Sequence, residues 1–161
     1  LNVIDNVIFG LDINGKPEEE SRERAMKYLE AVGLKDFAKR YPHELSGGMK
    51  QRVAIIRSII NDSKSLLMDE TFSALDVQTK HKLQNQILEI CQQNYKTIIF
   101  VTHDLDEAVF LSDEIVVFSR RPGRIKKIFE IKLEHPRNRE SQEFNELVSE
   151  ITQEIAELEN E

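Results

Sequence analysis

The amino-acid sequence predicts an α/β fold in which a parallel β-sheet is flanked by helices. Three short apolar segments, at 65–68, 97–101 and 114–118, have the length and composition of strands. The second segment shows little alternation of apolar and polar residues, as buried parallel strands tend to do. A helical pattern separates each strand from the next. The order strand, helix, strand, helix, strand is typical of a parallel sheet with crossover helices.

The residues before the first strand predict helices. Residues 1–15 have no clear pattern. Pro17 and the three glutamates after it suit the start of a helix, and Gly33 suits its end. A second helix is expected from Ser46, because apolar residues recur on one helical face at Met49, Val53, Ile56 and Ile60.

From the first strand onward, helices and strands alternate to the end of the chain. Residues 76–94 predict an amphipathic helix, and a short helix is expected after the second strand. A turn at 121–124 precedes an expected strand over Ile125–Leu133. Beyond Arg139, many glutamates accompany one apolar helical face, which predicts a docking or oligomer helix: Phe144, Leu147, Val148, Ile151, Ile155 and Leu158.

The composition is typical of a soluble globular domain, with 40% hydrophobic and 32% charged residues in a chain of 161. The net charge of -7 argues against a general binder of nucleic acid or of anionic membranes. The single cysteine, Cys91, excludes an internal disulfide and indicates a reducing compartment. The chain begins at Leu1 instead of methionine, so a fragment of a longer protein is expected.

Two adjacent acids follow the first strand, at the edge of a parallel sheet where ligands bind. Asp69 could hold Mg²⁺, directly or through water, and Glu70 could orient or deprotonate a water molecule. The alternative is a strand that runs into an ordinary acidic turn. His103, after the second strand, could donate a hydrogen bond to a phosphate, although a lone histidine is more often an ordinary polar loop residue.

Ser46 is a good helix N-cap, and the two glycines that follow it would bare the first backbone N–H groups of the helix. Such N–H groups carry a partial positive charge and bind phosphate. An ordinary capped helix would explain Ser46, but it would not explain both Gly47 and Gly48.

Together these motifs resemble the ATPase subunit of ATP-binding cassette (ABC) transporters. Leu45–Arg52 resembles the signature motif, Leu66–Glu70 the Walker B strand, Ser73–Asp76 the D-loop and His103 the switch histidine, in the order and spacing of the family. The resemblance spans nearly the whole chain. It implies part of a P-loop NTPase of the ABC type, with ATP and Mg²⁺ as cofactors.

The resemblance also implies a role for each matched residue. Ser46, Gly47 and Gly48 contact the γ-phosphate of ATP held by the second subunit of a head-to-tail homodimer. Asp69 belongs to the Mg²⁺ shell, and Glu70 is the general base. His103 senses the γ-phosphate, and Asp76 communicates across the dimer.

Further sequence features resemble those of ABC importers of the nitrate, sulfonate and taurine type. These features are Tyr41–Glu44, Met49, the turn Arg121–Ile125 and the segment His135–Arg139. The resemblance then implies a peripheral subunit on the cytoplasmic face of the membrane. Its partners would be permease subunits and, indirectly, an extracytoplasmic solute-binding protein. Thr71 departs from the family, which usually has proline after the catalytic glutamate.

The phosphate-binding P-loop, G-x-x-x-x-G-K-[ST], is missing. Gly10–Lys16 has its spacing, but Pro17 follows where a hydroxyl is needed. The resemblance implies that the P-loop and Q-loop precede Leu1, and that the P-loop strand lies between the second and third strands. The expected domains are 1–62, part of the helical subdomain; 63–135, the second half of the ATPase core; and 136–161, an amphipathic helical tail.

Two other interpretations remain. The chain could be a truncated module that offers a signature motif without catalysis. It could also be a soluble ABC protein of DNA repair or translation, but the acidic charge and the importer-like turn disfavour that interpretation.

Overall fold

The computed structural model describes residues 1–72, 75–93 and 96–159. The chain divides into two compact units, Leu1–Ile99 and Phe100–Glu161. The first unit contains most of the helices and the Walker B-like strand, and the second begins within the strand that leads to His103.

Three helices open the first unit and pack against one another: α1 (Val3–Ile13), α2 (Glu18–Ala31) and α3 (Gly47–Ile59). Residues 1–15 were left unassigned from the sequence, although their apolar residues recur at helical spacing. In the structure, one side of α1 is buried against its neighbours, through Val3, Ile4, Val7, Ile8 and Leu11.

The predicted boundaries of α2 are confirmed. Pro17 is its N-cap and the three glutamates form its first turn, where the positive end of the helix favours acids. Gly33, at φ 70°, follows its C-terminus in the left-handed conformation that glycine adopts readily. Two single-turn 3₁₀ helices, Lys35–Phe37 and Pro42–Glu44, then lead to α3.

The parallel part of the sheet is a βαβ unit. Strand β1 (Ser65–Asp69) and strand β2 (Thr97–Val101) hydrogen-bond to each other, and α4 (Val77–Gln93) connects them. A crossover helix between neighbouring strands makes them parallel, as the sequence predicted. The inward residues expected for α4 are buried: Leu83, Ile87 and Ile90. Asn94, the last residue of the expected helix, lies outside the described residues.

The β1–β2 sheet is covered on one face. Leu66 and Met68 are buried on the covered face, whereas Leu67 is 70% exposed and Ile99 is 59% exposed. The sequence predicted that β2 is buried, and this is wrong: Thr97, Ile99 and Val101 are exposed, and Ile98 and Phe100 are only partly buried. The burial of its neighbours shows the physical reason, because only one side of this sheet has a packed layer.

The second unit places its strands differently from the prediction. Strand β3 (Glu114–Phe118) does not extend a parallel sheet among the described strands; it pairs antiparallel with β4 (Ile125–Glu130). The short turn at 121–124 explains this pairing, because a tight turn joins antiparallel neighbours. Strand β4 also ends at Glu130, earlier than the expected Leu133.

The C-terminal helix, α6 (Gln142–Glu159), packs against the short helix α5 (Leu105–Leu111) within the second unit. The rings of Phe110 and Phe144 meet edge to face, with centroids 6.4 Å apart. Phe144 and Ile151 are 1% and 2% exposed. The apolar face that the sequence suggested for docking is therefore used largely inside the chain. None of the helices in the described part is long and apolar enough to cross a membrane.

Candidate functional site

The signature-like loop lies at the N-terminus of α3. Ser46 is the N-cap, and its hydroxyl oxygen accepts a hydrogen bond of 3.3 Å from the backbone N–H of Met49. A Cβ atom added to Gly47 would have no neighbour within 4 Å. No packing contact in the described chain therefore requires glycine at position 47, and the bare helix end is open to an incoming group.

Gly48 has a different environment. A Cβ atom added there would lie 3.1 Å from Cδ2 of Leu75, which is tight for a carbon contact. A glycine at 48 is therefore explained within the chain, because it lets the start of α3 approach the segment before α4. The structure thus brings the signature-like loop and the D-loop-like segment together.

The two acids lie at the carboxyl end of β1, as predicted. Asp69 ends the strand and Glu70 follows it, and both are exposed. The backbone of Glu70 has φ 44°, the left-handed region that residues other than glycine enter rarely. Holding a glutamate there costs on the order of 1–2 kcal/mol. The acidic turn is therefore conformationally strained, which an ordinary surface turn does not require.

Asp69 is suited to a magnesium ion, because a carboxylate oxygen is the hard ligand that Mg²⁺ prefers. Among the residues that the structure describes, no three His, Cys, Asp or Glu side chains gather as a metal-binding group. Mg²⁺ is commonly held by one or two carboxylates together with water and substrate phosphates. A single carboxylate at Asp69 fits that arrangement, and it does not fit an all-protein metal centre.

Two neighbouring residues of α3 donate hydrogen bonds to backbone carbonyls in two other segments of the first unit. The side-chain amide of Gln51 donates to the backbone carbonyl of Thr71, one residue beyond Glu70. The guanidinium of Arg52 donates to the carbonyl of Val32 at the C-terminus of α2, at 2.9 Å. Sequence patterns missed both contacts because backbone carbonyls carry no sequence identity. The sequence signal for these contacts was that two long side chains able to donate hydrogen bonds follow the two glycines closely.

Asp76 is the N-cap side chain of α4. Its carboxylate accepts from the backbone N–H of Thr79 at 3.0 Å. Hydrogen bonds from the side chain and backbone of Thr79 lower the pKa of Asp76. This contact explains how the end of the D-loop-like segment is fixed. Ser73 and Ala74 of the same motif lie outside the described residues.

His103 lies in the second unit, exposed between β2 and α5. The turn around it is well ordered by hydrogen bonds. The hydroxyl of Thr102 donates to Glu107 at 2.9 Å and accepts from the N–H of Asp104 at 3.0 Å. The carboxylate of Asp104 caps α5 by accepting from the N–H of Asp106 at 3.0 Å. His103 is thus carried on a turn with a fixed backbone.

Arg137 is a buried cation that the sequence did not single out. It is 7% exposed, and its guanidinium donates to the carbonyls of Val109 and Ser112 at 2.6 and 2.7 Å. These carbonyls lie at the C-terminal end of α5, where cations are favoured. Burial lowers the pKa of Arg137. The residue belongs to the importer-like segment His135–Arg139, so that segment has a structural role.

The near match to a phosphate loop is a helix end. Gly10 lies within α1, where an added Cβ would approach the side-chain oxygen of Asn61 to 2.4 Å. Lys16 is 2.9 Å from the carboxylate of Asp62. A phosphate loop needs free backbone N–H groups and a lysine directed at phosphate. Residues 10–13 are therefore the end of α1, and the alternative of a polar turn before a proline-started helix describes only residues 14–16.

Comparisons with known proteins agree with the motifs. Residues 2–73 match the ABC transporter family model. An ABC transporter ATP-binding protein of Methanocaldococcus jannaschii is 55% identical over 144 residues, which is 89% of this chain and 54% of the relative. An aliphatic sulfonates import ATP-binding protein of Bacillus thuringiensis subsp. konkukian is 44% identical over 96% of this chain and 61% of the relative.

Two further matches also cover most of this chain and about half of the matched protein. A nitrate import ATP-binding protein of Synechocystis sp. is 47% identical over 86% of this chain and 54% of the relative. A solved ABC transporter in an inward-facing conformation superposes with a TM-score of 0.69 at 27% identity, covering 82% of this chain and 53% of that chain. The chain therefore spans little more than half the length of the relatives it matches.

The fold is part of an ABC-type nucleotide-binding domain. The relatives above show that the chain belongs to the family of ABC transporter ATP-binding proteins. The resemblance stated from the sequence is confirmed.

Proposed function

We propose that this chain is the signature-, Walker B- and switch-histidine-bearing part of an ATP-hydrolysing subunit of an ABC importer. The observation that carries the proposal is the position of Asp69 and Glu70. They are exposed at the carboxyl end of β1, in the same unit as an α3 whose N-terminus is bare at Gly47. An exposed acid pair at the carboxyl end of a parallel strand suits the magnesium shell and the general base of a nucleotide site, and a bare helix end suits phosphate held by a second subunit.

The roles follow from the chemistry of each group. Bound Mg-ATP would supply the reactive γ-phosphoryl group. The carboxylate of Asp69 would hold the magnesium through water, and the carboxylate of Glu70 would accept the proton of the attacking water. His103 would donate a hydrogen bond to phosphate oxygen. The N–H groups at Gly47 and Gly48, with Ser46, would contact ATP held by a second subunit.

The cargo and partners are proposed from the relatives. Two of them are named as import proteins for aliphatic sulfonates and for nitrate, so we propose a small anion such as nitrate, a sulfonate or taurine as the solute. The subunit would form a head-to-tail homodimer on the cytoplasmic face of the membrane, docked on permease subunits. An extracytoplasmic solute-binding protein would deliver the solute. A P-loop and a Q-loop would be supplied by a preceding part of the complete protein.

The function is tested in the complete protein with Glu70→Gln. The variant should bind ATP normally but turn over more slowly by roughly 100-fold or more, as expected when a positioned base is lost. The matched control is Glu89→Gln, an exposed glutamate on α4, which should leave turnover unchanged. Phosphate release and nucleotide binding are the measurements. Near-normal turnover of Glu70→Gln removes Glu70 from its role, and an inactive unmodified protein would favour the non-catalytic module.

A further inference from the structure

The start of α3 is a bridge between two parts of the first unit. On one side, Arg52 binds the carbonyl that ends α2. On the other, Gln51 binds the carbonyl of Thr71. Side chains at adjacent positions of a helix point about 100° apart, so α3 can hold both partners at once. Movement at the N-terminus of α3 is therefore transmitted to Thr71.

The carbonyl that Gln51 holds belongs to a strained segment. Glu70 has φ 44°, and a residue in this region keeps its conformation only where its surroundings fix it. Met68 and Phe72, on either side, are buried at 5% and 1% exposure. Thr71 lies between these anchors, and the amide of Gln51 fixes its carbonyl. Gln51 thus helps to set the backbone from which the Glu70 side chain projects.

Gln51 also lies four residues after Gly47, on the same face of α3. One rigid helical turn therefore joins the bare helix end to the donor that holds Thr71. Nothing flexible intervenes, because the helix is capped by Ser46 and continues to Ile59. A group that pushes on the backbone at Gly47 would displace Gln51 by a similar amount.

We propose that Gln51 is a positioning residue that couples the N-terminus of α3 to Glu70 of the same chain. This inference rests on the proposed function, in which α3 touches ATP held by the second subunit. Gln51 then reports the arrival of that ATP to the general base that serves the chain's own ATP. It acts through the carbonyl of Thr71 and does not touch substrate.

The test is Gln51→Glu in the complete protein, because a carboxylate has the same shape but cannot donate to a carbonyl. The turnover number should fall about tenfold, the value of one hydrogen bond, while KM for ATP stays within about twofold. Cooperativity in ATP concentration should also fall. Gln51→Lys, which restores a donor on a long side chain, should recover most of the turnover.

The matched control is Gln86→Glu. The amide of Gln86 likewise donates to a backbone carbonyl, that of Ala31, and joins α4 to α2. Its loss should affect stability only, with turnover and cooperativity unchanged. If Gln51→Glu lowers thermal stability but leaves turnover and cooperativity intact, Gln51 is a structural contact and the inference is overturned.

Two measurements separate this inference from the proposed function. If the unmodified protein hydrolyses ATP and Glu70→Gln abolishes it, the function stands, and an unaffected Gln51→Glu overturns only the coupling. Hydrogen exchange around Thr71, followed by mass spectrometry without nucleotide, should be faster in Gln51→Glu. Unchanged exchange would show that Gln51 does not hold this backbone, whatever the activity.

Discussion

At the scale of single residues, the two glycines of the signature-like loop have different causes. A Cβ atom at Gly48 would meet the side chain of Leu75 closely, which is a packing reason for a small residue, whereas Gly47 faces open space. From the sequence, both glycines were assigned to the same phosphate. No described residue requires a small residue at Gly47, so it is the better position for testing contact between subunits.

The corresponding prediction concerns Gly47→Asp in the complete protein. A carboxylate there would face the γ-phosphate held by the second subunit. ATP-driven dimerisation should weaken on the order of 100-fold or more, because like charges in an interface cost several kcal/mol. ATP binding by the separate subunit should be unchanged, since the chain has room for the side chain. Light scattering and nucleotide titration measure the two properties.

Gly123→Asp is the matched control for this substitution, because an added Cβ there also meets nothing within 4 Å. It should leave dimerisation unchanged. Gly48→Asp would be a poorer test, since its effect on Leu75 would be mixed with any effect on the phosphate. Dimers of Gly47→Asp that form normally with ATP would contradict the contact between subunits.

At the scale of elements, local sequence patterns predicted where helices begin and end, but they did not predict which surfaces other parts of the chain cover. The start of α3 at Ser46 and the end of α2 before Gly33 were confirmed because caps and left-handed glycines are local. Ile99 was wrongly expected to be buried, since burial depends on a covering layer that sequence periodicity does not reveal. Thr71 illustrates the same limit at the site, because Gln51, whose side-chain amide donates to the carbonyl of Thr71, lies 20 residues away in the sequence.

A pH prediction applies to the contacts between helical elements. Arg24 and Lys16 hold Asp62 at 2.7 and 2.9 Å and lower its pKa from 3.8 to about 2. A lowered pKa stabilises the fold above about pH 4, and the contribution is lost as the pH falls through about 2. The three side chains are 29–48% exposed, so water screens the pairs and Asp62→Asn should cost only about 0.5–1 kcal/mol at pH 7.

Urea unfolding of the complete protein at several pH values checks this dependence. The stability difference between Asp62→Asn and the unmodified protein should shrink as the pH falls towards 2. Glu89→Gln, which removes an exposed carboxylate on α4, is the control. A difference for Asp62→Asn that stays constant with pH would show that its charge does not contribute.

At the scale of the whole molecule, each unit exposes apolar residues on its strands, within the part of the chain that the structure describes. In the first unit these residues are Leu67 and Ile99. In the second, cross-strand neighbours Val116 and Ile128 are 41% and 53% exposed, and Phe118 and Ile125 are 62% and 59% exposed. Contiguous apolar surface of this kind favours association with other protein.

The resulting prediction is that these 161 residues, expressed alone, neither bind Mg-ATP tightly nor hydrolyse it, and that they aggregate. Most phosphate contacts of such a site would come from a P-loop that the chain does not contain. Calorimetry, phosphate release and light scattering are the measurements. Glu70→Gln should behave like the unmodified chain. Micromolar affinity for ATP with steady turnover would mean that the phosphate site has been misplaced.

The left-handed backbone at Glu70 has a consequence for selection. Glycine or asparagine would occupy φ 44° with less strain than glutamate does. Selection for folded protein alone should therefore favour replacement of this residue, because the backbone strain would fall. Selection for ATP hydrolysis should retain the glutamate, because the proposed mechanism uses its carboxylate. If Glu70 is the general base that we propose, stability and catalysis oppose each other at this position, and laboratory evolution under each pressure should diverge there first.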